Sequence, residues 1–115
     1  MIGDLLSAQV IIGILASGIR AEDVRVLMDS AAVYYDQAEY HLSIEKYHEV
    51  RAQGYNSAEL QYNLGNAYFK KGELAESILH YERARLLAPN DADIAFNLTL
   101  AQQHVTDQVE AVKEV

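Results

Sequence analysis

The feature that most constrains this chain is a repeat length. From residue 20 onward the sequence resembles itself at an offset of 34. Tyr34 returns as Tyr68, Glu39 as Glu73 and Ser43-Ile44 as Ser77-Ile78. Tyr47 returns as Tyr81, Arg51 as Arg85 and Asn56 as Asn90. The apolar positions between these pairs match in kind. A period in this range marks stacked supersecondary units, none of which can bury its apolar face alone.

Each period holds two helical patterns, predicted over 23–37 and 40–53 in the first unit and 58–71 and 74–87 in the second. Gly54 and Gly72 suit the left-handed conformation that ends a helix. Asn56, Ser57, Asn90 and Asp91 are side chains that accept from free amides at a helix start. Asn56 with Glu59 has capping-box spacing. Pro89 stops the fourth helix, because it lacks an amide hydrogen and restricts the residue before it. A fifth helix is predicted from about 91 to at least His104. With one proline, and few strand-type alternations, the 115 residues read as one small all-α domain.

A 34-residue helix–turn–helix period resembles the tetratricopeptide repeat. The second unit, 58–91, carries Leu64, Gly65, Tyr68, Tyr81, Ala84 and Pro89 on that motif's spacing. Gln61 stands for the usual Trp and Ser77 for a small Ala. The first unit, 24–57, is weaker: Ala31 stands for Gly, and Tyr55 stands where Pro belongs. The third, from Ala92, keeps Phe96-Asn97-Leu98 and then departs, with Thr99 for Gly and Gln102 for Tyr. The resemblance implies a short right-handed α-superhelix of two repeats and a capping helix at 92–106, within a domain spanning 21–106 and followed by a tail at 107–115. Two units fall short of the usual minimum of about three. Something is therefore expected to cover the first repeat, either residues 4–19 or a second copy of the chain in a homodimer.

Gly65 belongs to this frame. Inside a helix a glycine costs about 1 kcal/mol relative to alanine. The resemblance puts it where the unit's two helices press together, with Ala31 at the same place one period earlier. A phosphate loop is excluded, because Gly65 and Lys71 have the wrong order and spacing and Gly65 lies within the helix.

A narrower resemblance covers the stretch from Glu49 to Gln102 followed by Thr106-Asp107-Gln108-Val109-Glu110. It is similar to the BatE-type proteins of the Bacteroides aerotolerance operons. That likeness implies an export signal or anchor and a place in the bacterial cell envelope, periplasmic or membrane-associated, with the cytoplasm as the alternative. It also implies a further membrane helix and an SH3-like domain, neither of which occurs in this sequence, so the expectation is a piece of a longer protein. Residues 1–20 hold the apolar run LLSAQVIIGILASGI at 5–19. It is short of the roughly 20 residues a span needs, and its length suits a secretory signal. Asp4 stands where a signal carries Lys or Arg. Leader, membrane anchor, docked helix and flexible tail all stay open.

The net charge is −8, from nine basic and seventeen acidic residues, with Lys70-Lys71 the only adjacent basic pair. This argues against a nucleic-acid partner, which needs clustered Lys and Arg. Cysteine is absent, which excludes disulfides, thiolate catalysis and Cys-based zinc sites. No Gly-x-Ser-x-Gly or Gly-Lys-Ser/Thr motif occurs, so the reading is of a non-enzyme without cofactor or small-molecule substrate. The sharpest metal candidate is His41, Glu45 and His48, spaced to share one helix face. A di-iron site needs a second such set, so an outward, solvated face is the expectation and metal binding the alternative. His80 and His104 are expected at the surface.

Eight tyrosines remain to be sorted. Tyr34, Tyr47, Tyr68 and Tyr81 recur at the repeat offset and should pack between helices. Tyr35, Tyr62, Phe69 and Phe96 take the other face of each unit's first helix. In tetratricopeptide proteins those helices line a concave groove for a partner peptide. The resemblance thus implies a groove with Arg25, Met28 and Tyr35, then Tyr62, Asn63, Asn66, Phe69 and Lys70, then Phe96, Asn97 and Leu100. Asn amides each offer a donor and an acceptor to a peptide backbone. The family's carboxylate clamp is not expected: its positions hold Met28, Ala32, Asn63, Asp93 and Asn97, and only Asn63 matches. The function expected is a non-catalytic protein-interaction module, a self-assembling element being a further alternative.

Overall fold

A computed structural model describes residues 23–114. The expectations for 1–20, including the leader and its cover over the first repeat, lie outside the described residues. Among these the fold is all-α, a tetratricopeptide-type helical repeat of five helices. Helix α1 runs over 23–36, α2 over Tyr40–Ala52, α3 over Ala58–Lys71, α4 over Leu74–Leu87 and α5 over Ala92–Lys113. The helices of a unit are joined by two or three residues, which forces them side by side and antiparallel. No described helix is long and apolar enough to cross a membrane.

The junctions repeat as closely as the helices. At the end of α3, Gly72 takes φ +86. Its N–H donates to the Phe69 carbonyl at 3.0 Å, and the Glu73 N–H donates to Tyr68 at 2.9 Å. That pair of bonds is a Schellman motif. One period earlier Ala38 donates to Tyr35 at 3.0 Å and Glu39 to Tyr34 at 2.8 Å. Ala38 therefore sits at φ +61, left-handed without being glycine. Helix α3 starts on Ser57, whose Oγ accepts from the Leu60 N–H at 3.1 Å. The Asn56–Glu59 capping box does not form, because the helix is capped one residue later by Ser57; the Asn56 side-chain oxygen accepts from the Gln61 amide at 2.9 Å instead. Asp91 caps α5, accepting from Asp93 and Ile94.

The core follows the same register. Leu60, Leu64 and Ala67 of α3 are buried, and so are Ile94, Leu98 and Ala101 of α5, each 34 residues on. Leu60, Gln61, Leu64, Gly65 and Ala67 cover two sides of α3, because α3 is packed between α2 and α4. Ser43 Oγ donates to the Ala31 carbonyl and Ser77 Oγ to the Gly65 carbonyl, both at 2.8 Å. These bonds lock each unit's second helix to its first. At Gly65 an added Cβ would stand 2.5 Å from Cε1 of Tyr81 and closer still to Cδ1. The glycine is there because a ring occupies the space of its side chain.

Helix α5 runs seven residues past the 106 boundary set for the capping helix. Position 106 corresponds to Ala38 and Gly72, the two left-handed breaks. It holds Thr106, whose β-branch disfavours positive φ, so the helix continues and the chain does not turn back.

Candidate functional site: a groove across three first helices

The face made by α1, α3 and α5 carries a groove of about 340 Å³. Tyr35 contributes from α1, Tyr62, Asn66, Phe69 and Lys70 from α3, Tyr81 from α4, and Asn97 and Leu100 from α5. A second hollow of about 150 Å³ adjoins it and shares Tyr35 and Asn66; Ala32, Asp36, Tyr47 and Asn63 complete it.

The floor is a tied polar network. The Tyr81 hydroxyl donates to Asn66 Oδ1. Asn97 Nδ2 donates to the same oxygen at 3.0 Å and to the Tyr62 hydroxyl at 2.9 Å. A phenolic proton and an amide hydrogen both point at Asn66 Oδ1, which fixes how both amides are turned. Among the described residues the Asn66 N–H groups, the Tyr62 proton and the Asn97 carbonyl make no further hydrogen bond, and all three residues line the groove. Tyr62 and Tyr81 lie ring to ring at 6.0 Å, and Phe69 meets His104 edge-on at 5.1 Å. Burial raises the pKa of Tyr81, and burial together with Glu59 pushes Tyr47 up to about 12. Tyr35 is raised too, by burial first, then Tyr40, Tyr62 and Asp36. These hydroxyls stay neutral donors at ordinary pH.

Of the residues predicted for the groove, Tyr35, Tyr62, Asn63, Asn66, Phe69, Lys70, Asn97 and Leu100 line it or its neighbour. Arg25, Met28 and Phe96 do not. Arg25 lies about two turns before Ala32 on α1. Met28 packs on the core between α1, α2 and α3. Phe96 is 68% exposed on α5; its counterpart Tyr62 is held by Asn97 of the next unit, and no described helix lies beyond α5 to do the same for Phe96. Tyr47 and Tyr81, assigned to packing, are buried between helices and also line these hollows. Ala32 and Asp36 join the smaller hollow without having been expected there.

The histidines need correction. His80 is not a surface residue: it is 3% exposed, stacks on Tyr68 at 5.2 Å, and its Nδ1 donates to Gln61 Oε1 at 2.7 Å. Burial, then Arg83 and His48, hold its pKa down at about 4. His48 does not share a solvated face with His41 and Glu45, which are exposed. It turns into the junction between units, where Arg51 stands 3.4 Å from Nδ1 and the Tyr68 hydroxyl 2.9 Å from Nε2. A guanidinium only donates, so Nδ1 accepts and Nε2 carries the proton. Burial, then Arg51, lowers the His48 pKa. Among the described residues no three His, Asp or Glu side chains gather in a way that could hold a metal ion.

Residues 58–91 match the family model described as Tetratricopeptide repeat. The match covers α3, α4 and their flanking turns. No curated protein matches the chain. Tetratricopeptide repeats are typically non-catalytic modules that mediate protein–protein interaction.

Proposed function

We propose that this chain is a non-catalytic interaction module that holds a segment of a protein partner in the groove between α1, α3 and α5. The observation that carries the reading is the hydrogen-bonded floor. Asn66, Asn97, Tyr62 and Tyr81 brace one another across three helices, so their remaining donors and acceptors are presented at fixed positions, next to the rings of Tyr35 and Phe69. Preorganised polar groups beside aromatic surface bind a peptide at low entropic cost. The finer reading, a scaffold in a bacterial envelope complex of the aerotolerance type, rests on the sequence resemblance alone.

The test is capture from cell extract by the whole chain and by variants that leave the fold intact. Phe69→Ala should lose the partner and Lys70→Glu should weaken its capture, while His41→Ala on the opposite face should keep it. Equal capture by all three would remove the groove from the account. Self-assembly has one observation behind it. Val109 and Val112, exposed on the far part of α5, continue the stripe of Leu98 and Ala101. Light scattering against concentration decides that reading, and a constant monomer mass would end it.

A further inference from the structure

The groove carries opposite charges at one repeat position, Asp36 on α1 and Lys70 on α3, 34 residues apart. Asp36, at the end of α1, lines the smaller hollow, and Lys70, in the last turn of α3, lines the larger one. Tyr35 and Asn66 line both, so the two hollows form one continuous trough. Among the described residues the ion pairs are Lys46–Glu49, Lys71–Glu73 and Arg85–Glu82. Neither Asp36 nor Lys70 enters one, although Lys71, next in sequence, does. Both are exposed. Asp36 is near enough to add to the raised pKa of the Tyr35 and Tyr47 hydroxyls, after burial and the closer groups. Asp36 therefore puts an anion on the α1 side of the trough and Lys70 a cation at the equivalent place on α3, in a chain whose net charge is −8.

Building on the groove reading above, we infer that the preferred ligand is a peptide segment that crosses from α1 to α3 with a cationic side chain beside Asp36 and an anionic one beside Lys70. The order of these charges fixes the direction in which the segment lies. Aromatic or apolar residues of the same segment would meet Tyr35, Tyr62 and Phe69, which line the trough beside the two charges. Each exposed pair contributes little by itself, roughly a two- to fivefold preference at moderate salt, and the preference fades as salt screens it.

The probe is a phage-displayed library of random dodecapeptides selected on the whole chain, on Asp36→Asn and on Lys70→Gln. Selected peptides should carry Lys or Arg and Asp or Glu at a recurring separation and in one order. Asp36→Asn should lose the basic position and keep the acidic one, and Lys70→Gln the reverse. Synthetic copies with either charge neutralised should bind roughly two- to fivefold more weakly. Selection of peptides without a charge pattern overturns this inference and leaves the groove reading standing. Failure to enrich any peptide overturns both.

Discussion

Gly65→Ala is the substitution whose sign says most about how the repeat is built. By helix propensity alone it should stabilise α3 by about 1 kcal/mol. The geometry argues the other way. The new Cβ would lie 2.5 Å from one ring carbon of Tyr81, against the roughly 3.5–4.0 Å of ordinary carbon contact. Overfilling a packed site costs about 1–3 kcal/mol. The first unit sharpens the expectation, because it holds Ala31 against Tyr47 at the equivalent positions, both buried. A ring can therefore stand back far enough for a methyl group. Tyr81 is less free to do so, since its hydroxyl is tied to Asn66, whose counterpart beside Ala31 is Ala32. The net expectation is a loss of about 1 kcal/mol. Urea unfolding followed by far-UV circular dichroism measures it. In a Tyr81→Phe background, with the tether gone, the same change should cost less or become favourable. A gain of the full propensity increment in the unmodified chain would refute the close contact. Equal effects in the two backgrounds would refute the tether.

Ala38 offers the opposite case. Ala38→Gly should stabilise the chain by about 0.5–1 kcal/mol, the strain of a left-handed alanine less the chain entropy of glycine, with an unchanged denaturant slope. Ser77→Ala should cost about 1 kcal/mol through the lost bond to the Gly65 carbonyl, read from the urea midpoint. Stability should also depend on pH through His80. Its folded pKa, about 4, lies below the ordinary 6.5, so between these values the unfolded chain binds the proton and the folded chain does not. Stability therefore falls as pH drops from about 6.5 toward 4, by up to about 3 kcal/mol from this residue. His80→Asn should flatten that part of the thermal-midpoint profile; an unchanged slope would remove His80 as the cause.

The repeat was legible because its signals are local and recur. Tyr47 and Tyr81, Ser43 and Ser77, and Gly72 and Pro89 each mark a contact or a turn that chain spacing alone exposes. The left-handed Ala38 was not visible, since nothing in an alanine announces positive φ; only its register with Gly72 points there. His80 was misread for a related reason. Its counterpart one period earlier is Lys46, a partly exposed residue, so the offset gave no hint of burial. The usable signal lay in α3, where Gln61 replaces an aromatic residue and, once buried, needs a partner for its amide. The outward set of His41, Glu45 and His48 failed because helical spacing alone does not show which side the next unit covers. In the groove, the positions on α3 were readable from its central place. Phe96 was not, because α5 has a described neighbour on one side only, and the repeat frame assumes one on both.

The most direct test of the central claim is amide chemical-shift mapping by NMR with a peptide selected on the whole chain. The account predicts perturbations concentrated at Tyr35, Tyr62, Asn66, Phe69, Lys70, Asn97 and Leu100, with His41, Glu45 and Leu79 unmoved. Perturbations centred on those last three, with the groove silent, would contradict it.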